Sequence, residues 1–222
     1  MAKRRDYLRM KRLLITVFQA IFQPWKNAQA LEKQKTSGLW TRAFLGLLFL
    51  ALGLAITSII QAASGNFPAA PVYLPFSLEN YFVWQAILIV PWAMLSWLAI
   101  SFLARLIFLS GRSQKEAISL RQFSAGLALS FYPFLFWLWL SHLLTAVFYS
   151  LGMSQKEWVD LISEPGWFQF TYLLLLFLAV SSGLISSVLT MVKTVPARKI
   201  TAIFLGFGLF LVFSFLVLFL LR

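Results

Sequence analysis

Two ionisable side chains lie within long apolar stretches, where they are the first candidates for chemistry. His142 is the only histidine of the chain and directly follows Ser141, while Arg105 lies toward the end of another apolar stretch. Ionisable residues inside a membrane are candidates for proton relays or ligand sites by default. His142 has no carboxylate partner within any apolar stretch, so a packing or interfacial hydrogen bond is the favoured interpretation. For Arg105 we favour a side chain that reaches the headgroups over one that binds a substrate.

The sequence contains no constellation for catalysis or for binding a cofactor. It lacks the H-E-x-x-H, G-x-S-x-G and G-x-x-x-x-G-K-[ST] motifs, which carry the chemistry of zinc proteases, serine hydrolases and nucleotide-binding proteins. It also has no cysteine, which excludes disulfides, thiolate metal sites and cysteine nucleophiles. We therefore predict that the protein is not an enzyme and has no catalytic, cofactor-binding or metal-binding residues.

The composition indicates an integral membrane protein. Of the 222 residues, 60% are hydrophobic and 12% are charged, whereas a soluble domain is usually about half apolar and about a quarter charged. Such an apolar excess cannot be buried in one small globule and has to face lipid. The predicted fold class is all-α, an integral membrane bundle of about five transmembrane helices with an N-terminal amphipathic surface helix.

Five apolar stretches are long enough to cross the bilayer, because about 20 helical residues cover its hydrocarbon layer of about 30 Å. Pro91 and Pro133 lie inside the second and third stretches, where we expect them to kink the helices. The predicted domains are a cytoplasmic basic segment, 1–38, and a membrane domain, 39–222. The predicted spans are about 39–60, 81–109, 123–151, 167–192 and 200–221.

The first 38 residues combine basic side chains with apolar residues at spacings of three and four, a pattern typical of a helix lying in the membrane surface. Pro24 is expected to end or bend this helix. A cleaved signal peptide is the alternative, since residues 28–30 resemble a cleavage site, but Gln19 interrupts its apolar region. The residues predicted to bind anionic lipid or a cytoplasmic partner are Arg4, Arg5, Arg9, Lys11 and Arg12.

The distribution of basic residues predicts the orientation of the chain. In a five-span topology only Lys156 and Arg222, of 19 lysines and arginines, fall on the side opposite the N-terminus. Because basic residues accumulate in cytoplasmic loops, we predict a cytoplasmic N-terminus and an external C-terminus. The net charge of +12 is thereby assigned to topology and anionic lipid, and no nucleic-acid partner is predicted.

Small residues in the fourth predicted span recur at the small-xxx-small spacing, which lets two helix backbones approach closely. Gly46 and Gly53 of the first span are seven residues apart and could act in the same way. Packing within the chain is the favoured interpretation, and a face that docks a partner is the alternative. The helix-packing residues predicted in the fourth span are Ser182, Gly183, Ser186 and Ser187.

Two short patterns add a family resemblance to this topology. One is a proline-containing lead before the first span, residues 21–28 (IFQPWKNA). The other joins the second span to the third through residues 102–112 (FLARLIFLSGR), 120–124 (LRQFS) and 130–133 (SFYP). With a cytoplasmic N-terminal segment followed by five spans, the chain resembles the bacterial members of the Yip1-domain family.

This resemblance implies a non-enzymatic protein of the bacterial cytoplasmic membrane that organises membrane or serves as an accessory subunit of a membrane complex. Its implied partners are anionic lipids at the cytoplasmic face, together with other membrane subunits or a second copy of the chain. The acidic, glycine-containing motif that precedes the first span in eukaryotic members is absent. Their binding to Rab-type GTPases is therefore not expected here.

Two other functions remain as alternatives. A transport component could move a lipid or small solute along a path shaped by Pro91 and Pro133, since interrupted helices line such paths in transporters. An intramembrane enzyme is the remaining alternative, and it would depend on His142.

Overall fold

The structure, a computed structural model, has no β-strand in its described part, and the predicted all-α membrane bundle is confirmed. The described residues are 2–26, 28, 38–68, 75–109, 119–195 and 198–221, with side chains described except at 2–9 and 107–109. The helices are α1 (Ala2–Phe22), α2 (Leu39–Ala63), α3 (Tyr81–Leu109), α4 (Leu120–Ser150), α5 (Gln155–Ser163), α6 (Trp167–Thr194) and α7 (Lys199–Leu221), with a 3-10 turn at Leu78–Asn80.

Within the described residues, five helices are long and apolar enough to cross a membrane: α2, α3, α4, α6 and α7. They have between 23 and 31 residues, which makes them about 35 to 46 Å long. This exceeds the hydrocarbon thickness of about 30 Å, so the helices tilt or their ends protrude. α4 begins at Leu120 rather than at residue 123 because the Ser119 side chain caps it, accepting a hydrogen bond from the Gln122 N–H.

The five spans form a closed ring in which each helix packs along two neighbours. In order around the ring they are α4, α2, α3, α7 and α6, and α4 also contacts α3 across it. α4 is the most enclosed helix, since every residue from 123 to 135 is buried. This part of α4 is apolar or small on all sides, as a helix surrounded by others has to be.

Three consecutive residues of α4 connect it to three different helices. The Ser130 hydroxyl accepts a hydrogen bond from Ser187 of α6 at 3.3 Å, and the Phe131 ring stacks on Phe213 of α7 at 3.8 Å between centroids. The Tyr132 hydroxyl donates to the Ala43 carbonyl of α2 at 2.5 Å. Residues 130–132 therefore connect α4 to α6, α7 and α2. They belong to the SFYP pattern identified in the sequence.

Two large side chains of α4 pack directly against glycines of α2. A Cβ atom at Gly46 would overlap the Tyr132 ring, and one at Gly53 would lie 2.9 Å from Trp139 Cε2. Close contact of this kind drives helix association in membranes, where lipid removes most of the hydrophobic advantage of packing. The seven-residue spacing of the two glycines is thus explained by the α2–α4 contact.

α5 lies at the other end of the bundle, between the end of α4 and the start of α6. Its N-cap is Ser154, whose N–H and hydroxyl donate to the Glu157 carboxylate and hold the pKa of that carboxyl below its usual value. Trp158 is buried in a second apolar cluster, with Phe148 of α4 and Phe168 of α6 as neighbours. This aromatic contact fixes α5 on the bundle.

Candidate functional site

The charged residues divide the bundle into two ends. We call the basic end the one where α2, α4 and α7 begin and where α3 and α6 end. The acidic end is the other one, and α5 lies there. The described basic residues of the spans at the basic end are Arg42, Arg105, Arg121, Lys193 and Lys199. The acidic residues whose side chains are described all lie at the acidic end: Glu79, Glu157, Asp160 and Glu164.

α1 is attached to the bundle by a polar contact at the start of α2 and by apolar contacts about half-way along α4. Arg42 of α2 donates a hydrogen bond from Nη1 to the Thr16 hydroxyl at 3.2 Å. Ile21 is buried, and the Phe22 ring meets Phe136 of α4 edge-on at 5.4 Å between centroids. The N-terminal segment is therefore packed on the membrane domain.

The apolar stripe predicted for α1 is divided between two surfaces. Val17 and Ile21 pack against the core of the bundle, whereas Leu14 and Phe18 point away from it, with 61% and 55% of their surface exposed. Part of the stripe therefore binds the protein, which the sequence pattern did not distinguish from the exposed part. The remainder is an exposed apolar surface at the basic end of the bundle.

Basic residues accompany this exposed apolar surface on the same helix. Lys11 and Arg12 are exposed, one turn or less before Leu14. Arg4, Arg5 and Arg9 belong to α1, and their side chains lie outside the described part of the chain. A helix that presents apolar and basic residues together is suited to a membrane surface that contains anionic lipid.

The small residues predicted to pack in the fourth span lie on α6. Gly183, Ser186 and Ser187 are buried, and a Cβ atom at Gly183 would be 2.6 Å from the Phe134 Cβ of α4. Ser182 is half-buried and its hydroxyl donates to the Leu178 carbonyl of its own helix. α4 and α7 cover this face, which is the packing within the chain that the small-residue spacing favours.

The two prolines face different surroundings. Pro91 of α3 is exposed on the outside of the bundle, whereas Pro133 lies in the fully buried part of α4. The next residue after Pro91 is Trp92, whose Nε1 donates to the Leu216 carbonyl of α7 at 2.8 Å. The two positions therefore do not line one common path.

His142 belongs to a polar layer near the acidic end. Gln85 connects two helices, because its Oε1 accepts from the Ser58 hydroxyl at 2.8 Å and its Nε2 donates to the Leu220 carbonyl at 3.2 Å. Gln61 Nε2 donates to the backbone carbonyl of His142 at 3.4 Å. These hydrogen bonds connect α2 to α3 and to α4. They also connect α3 to the last turn of α7, where backbone carbonyls lack partners within the helix.

Ser141 lies directly before His142 in α4. The hydroxyl of the preceding residue, Ser141, is buried and donates to the Leu138 carbonyl of its own helix at 2.7 Å. In the described part of the chain, no group of three His, Cys, Asp or Glu residues is arranged to hold a metal ion. The geometry of this layer therefore corresponds to packing.

A cavity of about 320 Å³ lies at the basic end between α2, α3 and α4. The guanidinium carbon of Arg121 is 5.9 Å from the centroid of the Trp40 ring at this cavity. Reasoning from the sequence missed the cavity, because its walls come from three segments that are far apart in the chain. The lining residues are Trp40, Leu98, Ser101, Leu120, Arg121 and Ser124.

Comparison of the chain with family models, with curated proteins and with solved structures returned no match. The role of the basic end therefore has to be inferred from its own residues.

Proposed function

We propose that this chain is a non-enzymatic, Yip1-like integral membrane protein whose basic end holds anionic lipid and thereby organises membrane or anchors the chain as an accessory subunit. In this proposal the basic end faces the cytoplasm of a bacterial cell, as the excess of lysine and arginine on that side favours. The observation that carries the proposal is α1, which is fixed to the bundle while exposing Leu14, Phe18, Lys11 and Arg12.

The Yip1-like assignment rests on the resemblance of the sequence patterns, which include SFYP. Ser130, Phe131 and Tyr132 of this pattern each contact a different helix of the ring. The transport alternative has less support, because Pro91 and Pro133 do not share a path. The enzyme alternative has less support as well, because the Ser141 hydroxyl donates to the Leu138 carbonyl of its own helix.

The depth of α1 in the bilayer tests the lipid-binding proposal. The chain has no cysteine, so Leu14→Cys provides a unique site for a spin label in the full-length protein. We expect the label to lie deeper in lipid discs containing anionic lipid than in neutral discs. Reversal of the α1 charges to Glu should reduce this depth in anionic discs, since each basic residue near such a surface contributes about 1 kcal/mol. The reversed residues are Arg4, Arg5, Arg9, Lys11 and Arg12.

The matched control reverses two exposed charges at the same end but outside α1, Arg198→Glu and Lys199→Glu. This control should leave the label where it is in the parent protein. A depth that is the same in neutral and anionic discs, or that the α1 reversal leaves unchanged, would contradict the proposal.

A further inference from the structure

The cavity between α2, α3 and α4 has a cationic side. Arg121 is exposed at its rim and lies over the Trp40 ring. A guanidinium held over an aromatic ring by a cation–π contact can still donate from its N–H groups to an anion. Two of the described lining residues, Ser101 and Ser124, carry hydroxyls that donate to carbonyls of their own helices.

A second arginine, Arg105, lies one turn beyond the lining residue Ser101 on the same helix. Leu98, Ser101 and Arg105 follow one another at spacings of three and four, which places them on one face of α3. The Nε atom of Arg105 is buried and has no hydrogen-bond partner among the described residues. A buried N–H without an acceptor is costly. The carboxylates whose side chains are described lie at the acidic end, so none of them pairs with Arg105.

The other side of the cavity is apolar and borders the lipid-facing surface of the bundle. Leu98 is 43% exposed, and the neighbouring outward positions of α3, Leu95 and Phe102, are exposed as well. Trp40 is half-buried in the first turn of α2. Tryptophan at the end of a membrane span commonly lies at the depth of the lipid headgroups. A ligand that uses both sides of the cavity is an amphiphile with an anionic headgroup.

We propose that this cavity binds one anionic phospholipid, with its phosphate at Arg121 and Arg105 and its acyl chains along Leu98. The proposal deepens the proposed function and rests on it, because it requires the basic end to face a leaflet that contains anionic lipid. It differs from lipid binding by α1, which is a surface effect of many lipids. The volume of about 320 Å³ is within the range of small-ligand sites, about 300–1,000 Å³, and suits a headgroup.

The test is a titration of the delipidated full-length protein, in a neutral detergent, with phosphatidylglycerol and separately with phosphatidylcholine, followed by native mass spectrometry. We expect one tightly bound phosphatidylglycerol and weaker binding of phosphatidylcholine. Arg121→Gln and Arg105→Gln should each weaken the phosphatidylglycerol site about tenfold or more, as the loss of a charge-assisted hydrogen bond predicts. Arg198→Gln, which removes an exposed charge at the same end but outside the cavity, should bind as the parent does.

Two further measurements separate the possible failures. Leu98→Trp fills the mouth of the cavity without changing charge and should also weaken the site, so the proposal stays testable if an arginine variant does not fold. Soluble glycerol phosphate should compete poorly. Competition by glycerol phosphate as strong as that by the lipid would overturn the lipid assignment in favour of a free phosphate ester.

Parent-like binding by Arg121→Gln and Leu98→Trp would overturn the cavity proposal, as would equal binding of the two lipids by the parent. The α1 charge reversal should leave the tight site intact. If the α1 label is insensitive to lipid charge while the tight site persists, the proposed role of α1 fails and the cavity proposal stands. If the label responds to lipid charge while the tight site is absent, the cavity proposal fails and the proposed role of α1 stands.

Discussion

At the scale of single residues, the bundle depends on side chains that reach backbone carbonyls of another helix. Tyr132 donates to the Ala43 carbonyl, Trp97 Nε1 donates to the Ser124 carbonyl at 2.8 Å, and Trp92 donates to the Leu216 carbonyl. Aromatic residues with a polar atom fit these positions because they fill space and also satisfy the buried donor. Their partners could not be predicted from the sequence, since a backbone acceptor has no residue-type signature.

The Tyr132→Phe substitution isolates one of these bonds. The ring still packs against Gly46 while the hydroxyl is lost, so we expect the free energy of unfolding to fall by about 1 kcal/mol. Unfolding by titration with a denaturing detergent, followed by circular dichroism, measures this change. The comparison is Ser150→Ala, whose hydroxyl is exposed and bonds only within its own helix, and which should be nearly neutral. Equal effects of the two substitutions would show that the Tyr132 bond has no special role.

At the scale of helices, apolar length and spacing predicted the spans well, because the bilayer requires about 20 apolar residues whatever the neighbours are. The same patterns could not show which side of a helix meets protein and which meets lipid, since both surfaces are apolar. α1 illustrates this limit: Ile21 and Leu14 belong to one stripe in the sequence, yet one is buried on the bundle and the other is exposed. For α6 the small residues did indicate the buried face.

Two glycines of α7 provide a matched test of the α6–α7 contact. A Cβ atom at Gly206 would lie 2.7 Å from the Val188 Cα, a backbone atom that cannot move aside, whereas one at Gly208 would meet nothing within 4 Å. We expect Gly206→Ala to lower stability clearly and Gly208→Ala to leave it unchanged or raise it slightly, because alanine has the higher helix propensity. Thermal unfolding in mild detergent measures both. Indistinguishable midpoints would contradict the close crossing of these helices.

At the scale of the whole molecule, the two ends of the bundle differ in charge and in what they expose. The acidic end carries the described carboxylates, the polar layer around Gln85, and α5 held by Trp158. The basic end carries α1, the arginines and the cavity beside Trp40. Charge asymmetry could be predicted by counting lysine and arginine along the sequence. The cavity could not, because it forms only when α2, α3 and α4 are packed.

This division makes lipid composition the most direct readout of the central claim, that the basic end holds anionic lipid. The full-length protein is extracted from its native membrane in polymer-bounded discs, and the lipids of the discs are compared with those of the bulk membrane by mass spectrometry. We expect enrichment of anionic lipid around the parent protein and a smaller enrichment around the variant with reversed α1 charges. Discs from both proteins whose lipids match the bulk membrane would contradict the central claim.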